Sequence, residues 1–514
     1  MEVFSLMLTL LLVSCLQFAF VESEQPPNVV FILADDLGWN DVGFHGSDQI
    51  ETPNIDKLAK EGIILNNYYV QPICCPTRSA LMTGRYPIHT GMYHSVIRPE
   101  EPWGLSLDEK MLPQYLKEQG YTTHMVGKWH LGYFAKEYTP TYRGFDTFYG
   151  YYNGAEDYFY HNRSGYHFPQ YSGVDLHHAV HEQMTHDWFQ DGHYSGDLFT
   201  SKAIDIIQDH PTTDPLFLYL PFQNVHDPWD APKEWVDKFS NKIEDEQRRT
   251  FAAMVGALDE AIGKIYEALD EKNMLDNSII IFTSDNGGIP TDGHSSNFPL
   301  RGQKWNAYEG GVRVPAFINS PLLKRSGVTS MQMMHVTDWL PTIVNLAQGK
   351  ITKEIDGFDQ WKTLQSDVES PRKEILLNID DIFNQEALIV GEWKILTDFV
   401  HRSTRKKDTI DHGYQDGWIK APGHNSTGKA TSPVNCGSKP EKVTHCIETH
   451  CLFNLQNDPC EYNDVSSQYP EIYQQMKNKL EDYKKGMVQS RKQPGDKMSD
   501  PQLNGGFWGP WKEL

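Results

Sequence analysis

Four apolar runs of strand length, each stopping abruptly at polar residues, limit more than any other feature what this chain can fold into. Asn28 to Ala34 (NVVFILA) ends in Asp35 and Asp36, and Thr122 to Val126 ends in Gly127, Lys128, Trp129 and His130. Leu216 to Leu220 leads to Gln223, Asn224, Val225 and His226, and Ser278 to Ser284 (SIIIFTS) ends in Asp285, Asn286, Gly287 and Gly288. Helix-like segments alternate with these runs, the pattern of an α/β fold with a mainly parallel sheet. In open α/β sheets ligands bind beyond the carboxyl ends of the strands. Polar groups arriving there from four strands are therefore expected to meet at one site.

Each piece has a plain reading by itself. Asp-Asp after a strand serves as a turn or helix cap, Asp-Asn-Gly-Gly as a tight turn, a lone His as a structural group and Lys128 as a solvated charge. Their joint occurrence changes the reading. The carboxylates of Asp35, Asp36 and Asp285 with the carbonyl of Asn286 make a set of hard oxygen ligands, suited to Ca²⁺ or Mg²⁺ and not to zinc.

The most specific local signal is Cys74-Cys75-Pro76-Thr77-Arg78-Ser79-Ala80-Leu81-Met82-Thr83-Gly84-Arg85. Pro76 and the residues after it read as the start of a helix ending near Gly84. Residue 74 would then sit at a helix N-terminus, where free N–H groups favour an anion such as sulfate. The segment resembles the sulfatase signature C-x-P-S/T-R followed by x-x-x-x-T-G-R. That resemblance implies that the formylglycine-generating enzyme oxidises Cys74 to formylglycine, with Cys75 the variable position. An aldehyde there hydrates to a gem-diol that can attack sulfur and then expel sulfate by collapsing back, whereas a thiol would be left in a dead-end adduct.

Beyond the signature, NVVFILADDLGWNDVGFHG, MVGKWHLG, LFLYLPFQNVHDP, IIIFTSDNGG, LRGQKWNAYEGGVRVPAFINSPLL and HVTDWLPTIVNLA are similar to the arylsulfatase B (N-acetylgalactosamine-4-sulfatase) type of sulfatase over most of the chain. The resemblance implies an alkaline-phosphatase-like α/β/α sandwich with a smaller C-terminal α+β domain, an antiparallel sheet plus a helix. Carried over by position, it implies that Asp35, Asp36, Asp285, Asn286 and an oxygen of modified Cys74 bind one Ca²⁺, with Mg²⁺ the alternative. Arg78 would hold the oxyanion, and Lys128 and Lys304 would bind sulfate oxygens. His130 would deprotonate the second hydroxyl, and His226, with Lys304, would protonate the departing alcohol. The substrate it implies is the 4-sulfate of N-acetylgalactosamine; aryl sulfates and glucosinolates are alternatives, decided by walls read as Tyr151 to Tyr194 and Pro290 to Pro299.

The domain reading is a signal peptide over 1–23, a catalytic domain over 24–365 and a smaller domain over 366–514. The apolar run Phe4 to Phe20 with a cleavable Val21-Glu22-Ser23 supports the first; an uncleaved anchor is the alternative, since Glu2 stands where a basic residue is usual. No later run is apolar enough for stable membrane insertion. Glu374 to Asp398 reads as a strand pair, Cys451 to Leu455 as a strand, Tyr469 to Met487 as an amphipathic helix, and Arg402 to Pro440 as a surface loop. Cys436, Cys446, Cys451 and Cys460 suit a secretory compartment, lysosomal or extracellular, with three pairings open and a zinc knuckle the other reading. The sequons at Asn162 and Asn425 fit the same route.

The formal charge of −23 counts 21 His as neutral, so it depends strongly on pH. An acidic chain excludes nucleic-acid binding, which needs basic stripes. Three rival readings stand: a phosphohydrolase of the same superfamily, which would want Ser or Thr at position 74; a zinc hydrolase built on His177, His178, His181 and His186; and a catalytically silent binding protein. The second is weakened because His181 to His186 is one residue too long for H-E-x-x-H.

Overall fold

A computed structural model of the chain describes residues 25–187, 190–292, 294–398, 418–423, 434–447 and 449–514. The leader expected over 1–23, the Asn425 sequon and most of Arg402 to Pro440 lie outside the described residues.

The large sheet is built from β1 (Asn28–Ala34), β2 (Ile63–Leu65), β3 (Thr122–Lys128), β4 (Thr147–Tyr151), β5 (His177–Val180), β6 (Gln183–His186), β7 (Leu216–Pro221), β8 (Ser278–Ser284), β9 (Ala316–Asn319) and β10 (Val328–Ser330). Across the sheet their order is β10-β2-β9-β8-β1-β7-β3-β4-β5-β6. The run β8-β1-β7-β3-β4 is parallel throughout. Antiparallel pairs extend it on both sides, so the sheet is a parallel centre with mixed margins. The four apolar runs of the sequence are the adjacent strands β8, β1, β7 and β3.

Every residue of β1, β7 and β8 is buried, because helices cover both faces. Val29, Phe31 and Leu33 pack toward α1 (Cys74–Thr83) and toward α4 (Trp339–Leu346). Val30, Ile32 and Ala34 pack toward α2 (Ser195–Asp209) and α3 (Glu246–Glu271), as the period of two along a strand requires. This is the alkaline-phosphatase-like α/β/α arrangement.

A second sheet carries β11 (Glu374–Asp380), β12 (Gln385–Val390), β13 (Trp393–Thr397) and β14 (Cys451–Asn454), antiparallel in chain order. The helix α5 (Pro470–Lys485) buries Met476 and Leu480 against Leu376, Leu388, Ile395 and Leu452 of this sheet. The segment expected to be a strand pair is thus three strands. Gly391, at φ 57°, lets the chain reverse between Val390 and Trp393 within two residues, which divides the second half of the segment.

The C-terminal cysteines are paired as Cys436–Cys460 and Cys446–Cys451, which replaces the zinc-knuckle reading. Cys74 and Cys75 are free and buried. Asn162 is exposed at the start of a short two-stranded ribbon. Among the described residues no helix is long and apolar enough to cross a membrane.

Candidate active site

The carboxyl ends of β8, β1, β7 and β3 lie side by side, and backbone bonds continue past them. The Asp35 N–H donates to the Asn224 carbonyl at 2.9 Å and the Val225 N–H to the Asp35 carbonyl at 2.7 Å, tying the turn after β1 to the one that carries His226. On the other side the Asp285 N–H donates to the Ala34 carbonyl at 3.1 Å. Gly127 brings the end of β3 against β7: a Cβ on it would stand 2.0 Å from the Pro221 carbonyl oxygen. Asp36 takes the left-handed conformation, at φ 61°. Its N–H donates to Asp285 Oδ1 at 3.3 Å, and the next N–H, of Leu37, donates to Ser284 Oγ at 3.0 Å. Ser284 Oγ in turn donates to the Asn286 carbonyl at 2.8 Å.

Three carboxylates face three cations here. Arg78, one turn into α1 and wholly buried, donates from Nε and one terminal nitrogen to Asp285 Oδ2 at 3.1 and 2.9 Å. It also reaches Asp35 Oδ2 at 3.2 Å and the Lys128 carbonyl at 3.1 Å. Lys128 Nζ donates to Asp35 Oδ2, and Lys304 Nζ lies 2.7 Å from Asp36 Oδ2. At Lys304 burial disfavours the ammonium, but Asp36, Cys74, Asp35 and Asp285 together outweigh it and the pKa is raised.

Cys74 opens α1, and its Sγ is 3.8 Å from Asp35 Oδ1. Burial pushes its thiol pKa well up, with Lys128 and Lys304 opposing. Cys75 Sγ faces the other way, toward the His130 carbonyl at 3.1 Å. His130, left-handed at φ 57°, places Nε2 3.0 Å from the Ile97 carbonyl. A carbonyl only accepts, so Nε2 carries the hydrogen and the unpartnered, buried Nδ1 presents a lone pair. Burial, then Lys128 and Arg78, hold this imidazole neutral by pushing its pKa far down. By the same reasoning His226 donates from Nδ1 to the Asp227 carbonyl at 2.6 Å and turns Nε2 toward Asp36 Oδ2, 3.7 Å away.

Ligand atoms of Asp35, Asp36, Cys74 and His226 all lie within 4.8 Å of one another, so this group can hold a metal ion. Asn286 donates from Nδ2 to Asp36 Oδ1 at 2.7 Å, yet its buried Oδ1 has no partner. An orphaned amide oxygen beside two carboxylates fits a hard divalent cation. Asp285 stands next to the group with Oδ2 committed to Arg78.

All ten residues singled out from the sequence therefore come to one place. Sequence reasoning missed Ser284, which pins the Asp36 turn, and Tyr158, whose hydroxyl donates to the Gln223 and His226 carbonyls at 2.9 and 3.0 Å. A lone Ser at a strand end gives no signal, and Tyr158, though within the expected wall, gives none for its bond to the His226 turn. The expected wall Tyr151 to Tyr194 does touch the site: a Cβ on Gly154 would come within 2.6 Å of the His130 ring. The rival histidines lie in the β5–β6 hairpin, where His177 and His186 bond each other through Nδ1 at 3.1 Å and His181 is largely exposed. They gather no third ligand among the described residues.

A sulfatase family model matches residues 27–350. Arylsulfatase J of Mus musculus is 43% identical over 507 residues, covering 94% of this chain and 80% of that protein. N-acetylgalactosamine-6-sulfatase of Homo sapiens is 29% identical over 510 residues, covering 95% and 89%. Among solved structures, Ps i-CgsB in complex with k-i-k-neocarrahexaose has a TM-score of 0.73 at 28% identity, covering 94% of this chain and 98% of that one. The chain belongs to the sulfatase family. It is an enzyme that hydrolyses sulfate esters.

Proposed function

We propose that the enzyme works through formylglycine at position 74 and one bound Ca²⁺, with Mg²⁺ the alternative, on the sulfate ester of a sugar. The observation that carries this reading is the orphaned Asn286 Oδ1 beside a cluster whose charges already balance. Asp35, Asp36 and Asp285 offset Arg78, Lys128 and Lys304, so a divalent cation added there leaves a positive surplus that a sulfate group can neutralise.

Asp35, Asp36, Asp285, Asn286 and the oxygen of modified residue 74 would hold the cation. The aldehyde hydrate would supply one hydroxyl as nucleophile, its proton released to water under the charge of the cation, and a second hydroxyl for expelling sulfate. Arg78 holds the oxyanion and Lys128 and Lys304 grip sulfate oxygens, as preorganised donors in a dry site. His226, in its cationic form with a hydrogen on each ring nitrogen, gives the Nε2 proton to the alcohol oxygen as the S–O bond breaks. His130 Nδ1 takes the proton of the remaining hydroxyl, so that the carbonyl re-forms and sulfate leaves. Water then restores the hydrate.

The formylglycine-generating enzyme would act on the chain during secretion, before delivery to the lysosome or the cell exterior. The domains would divide as catalytic over 24–365 and accessory over 366–514. Two of the relatives' names support a sulfated saccharide, an N-acetylgalactosamine-6-sulfatase and a structure that holds a neocarrahexaose, while that of arylsulfatase J, at 43% identity, names an aryl class instead. A 4-sulfated N-acetylgalactosamine remains the substrate read from the arylsulfatase B resemblance, set against aryl sulfates and glucosinolates. A panel of 4- and 6-sulfated N-acetylgalactosamine oligosaccharides, p-nitrophenyl sulfate and a glucosinolate tests this. A saccharide should give the highest kcat/KM, and a glucosinolate preferred over every saccharide would overturn it.

A further inference from the structure

Trp305 follows Lys304 directly and sits at φ 81°, a left-handed conformation that a bulky aromatic residue adopts only when its surroundings impose it. The restraint grips both sides of the residue. Its N–H donates to the Pro72 carbonyl at 2.8 Å, two residues before Cys74. Its carbonyl accepts from Gln385 Nε2 at 2.8 Å. Gln385 belongs to β12, in the second sheet, and lies outside the segment that the sulfatase model matches.

The Gln385 amide is itself fixed. Nε2 also donates to Asp398 Oδ1 at 2.8 Å, and Oε1 accepts from Asn378 Nδ2 at 2.9 Å. Flipping the amide would set its oxygen against a carbonyl and a carboxylate at once, so only the observed orientation is stable. Asp398 uses its other oxygen to accept the Ala307 N–H at 3.0 Å, and its own N–H bonds the carbonyl of Cys446, half of a disulfide. All three side chains are buried, with exposures of 5% for Asn378, 2% for Gln385 and 1% for Asp398. The segment 304–307 is therefore held by β12 and by the end of β13, and its first residue carries the ammonium 2.7 Å from Asp36 Oδ2.

We propose that Gln385, oriented by Asn378 and Asp398, is a positioning residue: it holds the Trp305 backbone so that Lys304 points at Asp36 and the sulfate. The inference rests on the reading of Lys304 as a sulfate-binding group. It gives the second sheet a part in catalysis without touching substrate. Loss of the clamp lets Trp305 relax toward negative φ and swings Lys304 off its target, which weakens every step that uses sulfate contacts.

The test is a double-mutant cycle of Gln385→Met and Lys304→Ala in the full secreted enzyme. Two quantities are read on an aryl sulfate, KM and the inhibition constant of inorganic sulfate, because neither depends on how much protein is folded; kcat per formylglycine-bearing molecule is the third. Lys304→Ala alone should be impaired. Gln385→Met should lower kcat/KM about tenfold and weaken sulfate inhibition, and should change neither in the Lys304→Ala background. If Gln385→Met is not secreted, the isosteric Gln385→Glu, which removes the same donor, takes its place. Native kcat/KM and sulfate inhibition in the Gln385 variant, or an equal loss in both backgrounds, would overturn the positioning role while leaving Lys304 in place. A fully active Lys304→Ala enzyme would instead remove the Lys304 assignment and, with it, the role derived for Gln385.

Discussion

Two of the clusters of buried charge in this molecule are filled to different degrees. At the strand ends, Asp35, Asp36 and Asp285 meet Arg78, Lys128 and Lys304, but Asn286 Oδ1 and His130 Nδ1 are left with no partner. Between the two sheets, Lys394 Nζ lies 2.9 Å from Glu309 Oε1 and 2.8 Å from Glu461 Oε1. Glu309 Oε2 there accepts from the Tyr69 hydroxyl at 2.9 Å and from Arg313 at 3.3 Å, and Glu461 Oε2 accepts the Glu309 N–H at 2.8 Å. Each carboxylate oxygen of the second cluster lies against a protein donor, Glu461 Oε1 meeting Lys394 as an ion pair without hydrogen-bond geometry. Buried charge is common to both, and so are acceptors short of hydrogen bonds; in the first these are an amide oxygen and an imidazole nitrogen that no protein cation covers, whereas in the second Glu461 Oε1 already faces Lys394, and that separates a place able to receive a ligand from one that holds two layers together.

The largest expected effect falls on the receiving cluster. Cys74→Ala should fold normally and lose turnover by roughly 10⁵ or more, the scale seen when a nucleophile is removed. Aryl sulfate hydrolysis at native rate by that variant would break the comparison at its root. Next, Lys394→Met should cost about 3–5 kcal/mol of stability, because it strands Glu309 and Glu461 in the interior. A melting curve checks this, and kcat per folded molecule should remain near native. A large kcat loss without a stability loss would move Lys394 into the catalytic class.

Lys128→Ala should weigh more on chemistry, lowering kcat by about 10²–10³ through loss of one preorganised donor, while Arg78, 3.2 Å from Asp35 Oδ2, still pairs the buried carboxylate and keeps the stability cost below that of Lys394→Met. Steady-state kinetics beside calorimetry decide it, and a variant that is destabilised but catalytically normal would blur the distinction between the clusters.

The smallest effect concerns pH. Burial pushes Glu156 up from the ordinary glutamate value of 4.5 to about 7, with His161 opposing, while at His161 the bond to Glu156 is among the contacts that outweigh burial and raise its pKa. Both groups bind protons more tightly folded than unfolded, so their contribution is complete below pH 4.5 and is lost as pH rises through about 7. At about 1.4 kcal/mol for each pKa unit the loss amounts to a few kcal/mol at most. The melting temperature should fall from pH 5 toward pH 8, and Glu156→Gln should flatten that fall. An unchanged slope in the variant would exclude the pair as its source.

The parallel centre of the sheet was legible because β1, β7 and β8 carry apolar residues toward both faces along most of their length, as strands covered on both faces must. Their polar ends announced the site for the same reason: a buried run has no cause to stop at Asp-Asp or Asp-Asn unless those groups have work there. The N-terminal position of Cys74 was legible from Pro76, the third residue of α1, and Gly84, which caps its end. What escaped depends on contacts distant in sequence. The left-handed turn at Asp36 is set by Ser284 and Asp285, and the one at Trp305 by Pro72 and Gln385. No local pattern encodes either. The three-strand division of Glu374 to Asp398 turned on one glycine within an apolar stretch, and the disulfide pairing on which cysteines the folded chain brings together.

Turnover by this enzyme depends on the chemical state of one side chain. Enzyme secreted by a competent host should be digested with trypsin and the peptide spanning residue 74 weighed, in parallel with a titration of active sites. The expected result is the aldehyde or its hydrate at position 74, in proportion to the active fraction. A thiol or disulfide at that position throughout a fully active preparation would contradict it.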